Sequence, residues 1–379
     1  MISRGNESIE HILDSKLPYT SGPAWLSENV LKNRRVIAVS GTHGKTSTTA
    51  MLTWILVNLG MDPGFLIAGK PKDFSVSAKL GKDEIFVIEA DEYDTAFFDK
   101  RAKLIHYNPE VLIINNLEFD HADIYSNLPE IQKQFHNLIR TMSSEDCIVF
   151  PGDDKNIREV LDLGVWSKEV EFGVEGNSSN YFEAIKKDHS SVRFSINKKV
   201  AEINWNLLGE HNARNAITAL LALQHFNLSL SDSAKSLESF SGVKRRLDTI
   251  IDRKDLKLFD DFAHHPTAIQ ETLKGLRSRY LDNRIIALIE IRSNTMKSGL
   301  HDKNLTGATS EADLVFWKGA DKDQLNNLVN KSPEKNYVID SVDSFSDELK
   351  NSIIKDNDVI IMMSNGSFDG LVDLLNSKL

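Results

Sequence analysis

The sequence contains a single cysteine, Cys147, among 379 residues. One thiol excludes an internal disulfide framework and is typical of proteins from a reducing compartment, where it most often serves as a small buried hydrophobe. The apolar stretches, such as AITALLAL, are far too short to span a bilayer, and the N-terminus MISRGNESIEHIL has no apolar signal core. We therefore expect a cytoplasmic protein.

Positive charge is also scarce. Against 55 aspartates and glutamates the chain has 45 lysines and arginines, so its formal net charge is -10. This balance argues against nucleic acid or an anionic membrane as the main partner, although a local basic pocket can still bind phosphates. Small molecules are the expected ligands, and the sequence leaves the oligomeric state open.

An α/β fold is indicated by short apolar runs that alternate with helical patterns. The runs RVIAV, EIFVIE, EVLIIN and CIVF predict a mainly parallel sheet flanked by helices. After residue 245 the runs LKLFDD, RIIALIE, ADLVFW, NYVID and DVIIMM predict a second α/β domain. Between the two series, residues 166–206 alternate in the manner of antiparallel strands, and LLGEHNARNAITALLALQHF predicts one helix.

Domain boundaries follow from these two series. We expect a central domain over residues 33–241 and a C-terminal domain over residues 242–379, with the boundary near SFSGVKRRL. Residues 1–32 hold only one or two short helical patterns and too little apolar surface to form a domain by themselves.

A phosphate-binding loop is predicted where SGTHGKTSTT follows the strand RVIAV and opens an amphipathic helix that ends at Gly60. Backbone amides of the loop and the helix N-terminus would wrap phosphates, Lys45 would neutralise their charge, and Thr46 would hold Mg²⁺. The match is to a short form, G-x-x-G-K-T, because Val39 stands where the longer pattern has a glycine. The alternative is a glycine turn that merely caps a helix, but this alternative does not explain why Lys45 and Thr46 follow the glycine.

Acidic residues follow the next two predicted strands, at the edge where ligands gather in an open α/β sheet. The two groups are Glu89, Asp91, Glu92 and Asp94 in FVIEADEYD, and Glu118, Asp120, His121 and Asp123 in INNLEFDHADIY. A solvated acidic turn would explain either group alone, but beside a phosphate loop we interpret them as metal sites. Glu89, expected first after its strand, is best placed for Mg²⁺. His121 either touches a weakly bound second metal or orients a phosphate oxygen.

Three further polar groups stand out. Asn212 and Asn215 in GEHNARN lie one helical turn apart, where both can bond an adenine or ribose edge, and helix capping explains only one of them. Arg246 in GVKRRL is either a phosphate ligand or part of a solvated charge run. The last group is Asp261, His264 and His265 in FDDFAHHPTA, which follow a predicted strand. Adjacent histidines point opposite ways in a strand, so we expect at least one to be structural.

The series GTHGKT, IEADE, NNLEFDHAD, GEHNARNA, KRR and DDFAHHPT resembles the Mur ligase family, whose members join a carboxylate to an amine with ATP. The stretches SRGNESIEHIL, PYTSGPAWL, EADEYDTAFFDKR, IRSNTMKSGLH and MSNGSFDG are similar to those members that attach L-alanyl-γ-D-glutamyl-meso-diaminopimelate to UDP-N-acetylmuramate during cell-wall (murein) recycling. The resemblance covers essentially the whole chain. It implies an ADP-forming peptide ligase with ATP and Mg²⁺ as cofactors, and UDP-N-acetylmuramate and the murein tripeptide as small-molecule substrates.

The resemblance also implies a fold and a set of roles. It implies a phosphate-loop ATPase domain, a Rossmann-like C-terminal domain, and residues 1–32 as the remnant of an N-terminal UDP-binding domain. It implies catalytic roles for Lys45, Glu89, His121 and Asp261, with Thr46 and Glu89 on one Mg²⁺ and His121 on a second. The residues implied to bind the nucleotide are Gly41, Thr42, His43, Gly44, Lys45, Thr46, Ser47, Asn212, Asn215, Arg246 and Asp261.

Two departures from the family pattern limit these expectations. Family members usually begin with a glycine-rich strand-turn-helix that holds the UDP group, so we expect this chain to bind ATP but to bind UDP-N-acetylmuramate weakly. Some relatives carry a carbamylated lysine near the metals, and neither Lys133 nor His136 matches it, so no carbamate is predicted.

Three other functions share part of this pattern with the peptide ligase. The related alanine-adding ligase shares the nucleotide motifs but, by resemblance, lacks DTAFFDKR and SNTMKSG. An inactive ATP-binding fragment would bind nucleotide without ligation. A phosphate-loop switch or kinase would have no need of GEHNARNA and DDFAHH.

Overall fold

The structure, a computed structural model, describes residues 3–173 and 178–379. The helices run over Glu7–Asp14 (α1), Gly22–Leu26 (α2), Lys45–Asn58 (α3), Leu128–Ile139 (α4), Lys155–Asp162 (α5), Glu210–Gln224 (α6), Leu230–Leu237 (α7), Pro266–Arg279 (α8), Asn294–Lys297 (α9), Asp302–Ala308 (α10), Lys322–Asn330 (α11), Val342–Glu348 (α12) and Leu371–Lys378 (α13). Short helical turns of other types occupy Ser27–Leu31, Lys103–His106, Leu349–Ile353 and Phe368–Gly370.

The strands run over Arg35–Ser40 (β1), Gly64–Leu66 (β2), Ala78–Lys79 (β3), Ile85–Glu89 (β4), Asp94–Ala96 (β5), Asp99–Ala102 (β6), Val111–Ile114 (β7), Cys147–Pro151 (β8), Lys168–Phe172 (β9), Tyr181–Ala184 (β10), Ser191–Ile196 (β11), Lys199–Asn204 (β12), Asp248–Asp252 (β13), Leu256–Asp261 (β14), Ile285–Ile291 (β15), Leu314–Gly319 (β16), Asn336–Val338 (β17) and Asp358–Met363 (β18). The predicted α/β class is confirmed, because both large sheets are mainly parallel and are flanked by helices.

The chain forms two compact units. The first consists of Met1–Glu183, Val192–Trp205 and Ala213–Ser241, and the second of Ala184–Ser191, Asn206–Asn212 and Gly242–Leu379. The sequence predicts three divisions, residues 1–32, 33–241 and 242–379, and these bounds stay a prediction.

A seven-stranded sheet in the order β3-β2-β4-β1-β7-β8-β9 forms the centre of the first unit. All its neighbouring strands pair in parallel except β2 with β3, which pair antiparallel. The inner strands β1, β4, β7 and β8 are buried along almost their whole length, as their unbroken apolar runs require. Parallel strands place their carboxyl ends at one edge, so the loops after β1, β4 and β7 meet there.

The expectation of antiparallel strands across residues 166–206 was wrong for the first of them. β9 pairs in parallel with β8, from Cys147 opposite Lys168 to Pro151 opposite Phe172, and so extends the main sheet. Alternation of side chains reports that one face of a strand is buried, but it carries no information about strand direction. The strands β10, β11 and β12 form a separate three-stranded sheet.

The helix predicted from Leu207 begins three residues later, at Glu210, as α6. Gly209 has a φ of +86°, a left-handed conformation that glycine adopts without penalty and that is incompatible with the helix. The chain therefore turns at Gly209 and enters α6 immediately afterwards.

The second unit is built on a six-stranded sheet in the order β13-β14-β18-β15-β16-β17. It is parallel except for β13, which pairs antiparallel with β14. The five apolar runs predicted after residue 245 are β14 to β18, whereas β13 was not predicted. None of the described helices is long and apolar enough to cross a membrane.

Candidate active site

The loop between β1 and α3 depends on two glycines. Gly41 has a φ of +120° and Gly44 a φ of +80°. A Cβ on Gly41 would lie 2.9 Å from the carbonyl oxygen of Asn116, and one on Gly44 would lie 2.5 Å from Oδ1 of Asn215. Both the backbone conformation and the space therefore exclude larger residues, and the loop leads directly into the N-terminus of α3 at Lys45.

Two asparagines directly after β7 hold this loop in shape. The amide of His43 donates to Oδ1 of Asn116 at 2.8 Å, and Nδ2 of Asn116 donates to the carbonyl of His43 at 3.3 Å. Nδ2 of Asn115 donates to Oγ1 of Thr48 in the first turn of α3 at 3.0 Å. The motif NNLEFDHAD contains this Asn-Asn pair but does not by itself indicate a role for it, although the position of the pair at the end of a buried strand is a usable signal.

Lys45 is the first residue of α3, and its side chain is only 13% exposed. Its Nζ donates to the carbonyl of Gly41 at 2.7 Å and to a carboxylate oxygen of Glu92 at 3.2 Å, and lies 3.5 Å from Asp91. Burial lowers the pKa of Lys45, but the neighbouring carboxylates outweigh burial and the net pKa is raised. The ammonium group is therefore a fixed positive charge beside the loop.

A hydrogen bond between Thr46 and Glu89 joins the start of α3 to the end of β4. Oγ1 of Thr46 donates to Oε2 of Glu89 at 3.0 Å, while Oε1 of Glu89 accepts from the amide of Ala68 at 2.7 Å. Glu89 is the last residue of β4 and not the first residue after it, as had been expected. Its pKa is raised, chiefly by burial. A hydroxyl and a carboxylate at this distance are the hard oxygen donors that Mg²⁺ prefers.

Glu92 links Lys45 to His121. Its carboxylate, 3% exposed, lies 2.8 Å from Nε2 of His121 and accepts from Lys45. Burial raises the pKa of Glu92, but Lys45 and His121 together lower it to about 2. The same hydrogen bond raises the pKa of His121 against the effect of burial. Glu92 belongs to the predicted acidic group but was not among the predicted site residues, because the sequence pattern does not distinguish it from Asp91.

The backbone conformation of His121 and an aromatic neighbour determine the position of its imidazole. It has a φ of +57°, and the ring of Tyr93 lies 4.0 Å from its imidazole, centroid to centroid. The structure thus brings four of the predicted residues, Lys45, Thr46, Glu89 and His121, to one edge of the main sheet, with Glu92 between two of them.

The asparagines of α6 have different surroundings. Asn215 is buried with its Oδ1 beside Gly44 of the loop, as the fit of a Cβ at that glycine shows. Asn212 is also buried, and its Nδ2 donates to the carbonyl of Leu208 at 2.7 Å, one turn back along the chain. This bond is a local contact at the start of α6, whereas Asn215 lies against the phosphate loop, and the roles of both asparagines stay predictions.

The remaining candidates belong to the second unit. The buried carboxylate of Asp261, at the end of β14, accepts from the amides of Leu247 at 2.6 Å and Ala263 at 2.7 Å. Its pKa is raised by burial, and the charge of Arg246 opposes this rise. The Arg246 guanidinium lies 4.8 Å from the ring of Phe262. Arg246 and Asp261 are therefore neighbours.

The two adjacent histidines of this unit differ. His265 is 6% exposed, caps α8 by accepting from the amide of Thr267 at 3.3 Å, and packs its ring 4.5 Å from that of His301. Nδ1 of His264 lies 2.8 Å from the carbonyl of Phe262. The cap gives His265 a structural role, as expected for one of the pair.

Comparisons with known proteins give a consistent result. Residues 39–223 match the Mur ligase middle domain, and residues 245–366 match the Mur ligase, glutamate ligase domain. The chain is 42% identical over 388 positions to the UDP-N-acetylmuramate–L-alanyl-γ-D-glutamyl-meso-2,6-diaminoheptandioate ligase of Haemophilus influenzae, covering 100% of this chain and 84% of the relative. It is 42% identical to the ligase of the same name from Escherichia coli, over 98% of this chain and 81% of the relative.

A solved structure agrees with these relatives. The crystal structure of a murein peptide ligase from Psychrobacter arcticus superimposes with a TM-score of 0.73 at 40% identity, and the match covers 99% of this chain and 84% of the other.

Proposed function

The chain belongs to the Mur ligase family, and we propose that it is an ATP-dependent, ADP-forming ligase that joins L-alanyl-γ-D-glutamyl-meso-diaminopimelate to UDP-N-acetylmuramate. The observation that carries the proposal is the 42% identity to two ligases of that name along essentially the whole chain. Both substrates are small molecules, and the product belongs to murein recycling. The cytoplasmic location expected from the sequence remains a prediction.

ATP is the proposed nucleotide. The loop from Gly41 to Gly44 ends at the N-terminus of α3, and the ammonium of Lys45 lies beside the loop, where it donates to the carbonyl of Gly41. This arrangement of dipoles and one cation suits the β- and γ-phosphates. We assign nucleotide-binding roles to Asn215, Arg246 and Asp261, as the family resemblance implies.

Mg²⁺ is the proposed metal, and the donor set fits it. Thr46 and Glu89 offer oxygens within 3.0 Å of each other and would hold one ion, which would neutralise phosphate charge when bound. His121 would contribute to a second ion, in agreement with the role implied by resemblance. His121 and Glu92 are already paired in the structure at 2.8 Å, so this nitrogen is oriented toward carboxylate oxygens.

The proposed reaction begins when the lactyl carboxylate of UDP-N-acetylmuramate attacks the γ-phosphate of ATP, which gives an acyl phosphate and ADP. The amine of the tripeptide then displaces phosphate. Neither step requires a protein nucleophile, because phosphoryl transfer depends on positioning and on positive charge. Lys45 supplies that charge, Glu92 and the carbonyl of Gly41 orient its ammonium, and the N-terminus of α3 would attract the phosphate oxygens.

A coupled ADP-release assay tests the proposal. Release that requires both UDP-N-acetylmuramate and the tripeptide supports it. Release with alanine in place of the tripeptide would favour the alanine-adding ligase, which the identity to tripeptide ligases disfavours. Nucleotide binding without release in the presence of both substrates would favour an inactive ATP-binding fragment.

A further inference from the structure

A short β-hairpin projects from the acidic loop of the first unit. It consists of β5 and β6, joined by Phe97 and Phe98 at its tip. It starts at Asp94, two residues after Glu92, so the chain passes directly from the carboxylate that holds Lys45 into the hairpin. The proposed reaction assigns no task to this element.

The base of the hairpin is fastened to the candidate site. The amide of Lys103 donates to the carbonyl of Tyr93 at 2.9 Å, and the amide of Leu104 donates to that of Asp91 at 3.1 Å. The amide of Ala102 donates to Oε1 of Gln134 at 3.2 Å. The first two bonds fix the segment directly after β6 to the loop that carries Glu92, and the third fixes the end of β6 to α4, so the position of the tip is tied to that of the site.

Charged pairs stiffen the returning strand. Asp99 accepts from Nε and Nη2 of Arg101 at 2.9 and 2.8 Å, and Nε2 of His106 lies 3.0 Å from the same carboxylate. A bidentate pair of this kind restricts both side chains, because the planar fork of arginine matches a carboxylate. The hairpin is thus a braced element, and this bracing restricts the motion of its two-residue tip.

The tip presents aromatic surface to solvent. Phe98 is 43% exposed, and it meets Tyr19, 50% exposed, edge to face at a centroid distance of 4.8 Å. Phe97 packs on Phe98 at 5.2 Å. Aromatic rings carry a large apolar area on few rotatable bonds, and a cluster this open on a braced element is typical of a binding surface.

We propose that Phe98 and Tyr19 form a platform that receives the sugar ring of the UDP-N-acetylmuramate acceptor. The inference rests on the proposed function. In that function the acceptor's carboxylate reacts beside Lys45, and its pyranose ring is joined to that carboxylate by a short ether link. The ring must therefore lie close to the loop from which the hairpin projects.

The distance of the tip from the candidate site and the chemistry of the substrates both favour the acceptor sugar as the ligand of this surface. Phe97 follows Tyr93 by four positions, a step of at most about 14 Å of extended chain, so the tip lies within about that distance of the backbone of Tyr93, whose ring contacts His121. Among the three substrates, the acceptor sugar brings a face of C–H groups to this region. The γ-phosphate and the tripeptide bring mainly charged groups, which gain little from aromatic rings.

Steady-state kinetics on the full chain tests the platform. We expect Phe98→Ala and Tyr19→Ala each to raise the KM for UDP-N-acetylmuramate about tenfold, with the KM for ATP and kcat within about twofold, because each removes one aromatic contact with the sugar and leaves the phosphate site unchanged. Phe98→Tyr should restore the KM. The matched control is Trp166→Ala, which removes another exposed aromatic of the same unit and should change nothing.

The inference is overturned if the KM for the acceptor is unchanged, if all three KM values rise together, or if the tripeptide KM alone rises. A change in elution volume of Phe98→Ala on size-exclusion chromatography, with unchanged KM, would also overturn it and would assign the surface to a second copy of the chain.

A binding measurement separates this inference from the proposed function. Saturation-transfer NMR with N-acetylmuramate at millimolar concentration needs no turnover and detects weak ligands. Transfer to the sugar that is lost in Phe98→Ala but kept in Trp166→Ala supports the platform even if the wild-type chain does not ligate. Ligation by the wild-type chain with equal transfer in both variants leaves the proposed function standing and rejects the platform.

Discussion

Lys45 shows how a single side chain joins the two halves of the candidate site. Its ammonium is held between the carbonyl of Gly41 in the loop and the carboxylate of Glu92 in the acidic turn. The same carboxylate holds His121. A charge fixed in advance by its partners needs no reorganisation when a phosphoryl group is transferred, which is where such groups contribute most.

We expect Lys45→Ala to reduce ligation about a hundredfold, or about 3 kcal/mol of transition-state stabilisation, because the charge acts on the phosphates and not on the core. The coupled ADP-release assay measures the rate, and circular dichroism checks that the fold is kept. Lys79→Ala is the matched control, since Lys79 is an exposed lysine that pairs with Asp62. Near wild-type turnover of Lys45→Ala would contradict its assignment.

Cys147, in contrast to Lys45, is a buried and uncharged residue to which no role at the site is assigned. It is buried at the start of β8, and burial raises the pKa of its thiol to about 12. Because a thiolate is the reactive form, we expect no reaction with Ellman's reagent at pH 8 in the native protein. One equivalent should react after unfolding in urea. Rapid modification of the native chain would show that this end of β8 opens to solvent.

The loop after β1 illustrates how elements position the site. Its shape depends on glycines with positive φ, on Asn115 and Asn116 at the end of β7, and on Asn215 of α6. Three elements that are distant in sequence therefore enclose one turn of backbone. We expect a substitution in any of these elements to weaken phosphate binding more than it lowers the stability of the sheet.

Gly44→Ala tests this arrangement. The added Cβ would lie 2.5 Å from Oδ1 of Asn215 and 3.0 Å from Nδ2 of Asn115, so the loop must move. We expect the Kd for MgATP, measured by calorimetry, to rise at least tenfold, about 1.4 kcal/mol.

Gly60→Ala is its control, because Gly60 has nearly the same φ, +83°, with nothing near its Cβ position. It should cost about 1–2 kcal/mol of stability from backbone strain alone and leave the Kd unchanged. Equal Kd values for both variants would show that the contacts of Gly44 do not shape the phosphate site.

The whole molecule offers a test that does not depend on turnover. Ligand that binds the native state alone stabilises it, by about 2.7 kcal/mol at a hundred times Kd. We expect MgATP to raise the unfolding temperature, and EDTA to remove most of that rise if Thr46 and Glu89 hold Mg²⁺ against the phosphates.

The variant Glu89→Gln should show a smaller rise with MgATP than the wild-type chain and the same rise with ATP in EDTA. This pattern separates loss of a metal contact from loss of nucleotide binding. A rise that is equal with and without metal in the wild-type chain would remove the support for a metal at this position.

Much of this protein could be predicted from the amino-acid sequence because the relevant signals are local. The apolar runs of β1, β4, β7, β8 and β14 to β18 mark strands buried on both faces, and a glycine-rich turn followed by Lys45 and Thr46 marks a loop at a helix N-terminus. Acidic residues after parallel strands were expected at one edge of the sheet, and the positions of Glu89 and His121 agree with that expectation.

Only the tertiary structure decided which side chains meet. Glu92 and Asp91 are neighbours in the same turn, yet the buried carboxylate between Lys45 and His121 is that of Glu92. The parallel pairing of β9, the role of Asn116 and the aromatic pair of Tyr19 with Phe98 depend likewise on segments far apart in the chain. Local preference specifies the conformation of a segment, whereas its partners are selected by the packing of the whole chain, where one residue of register or one turn of backbone changes the contact.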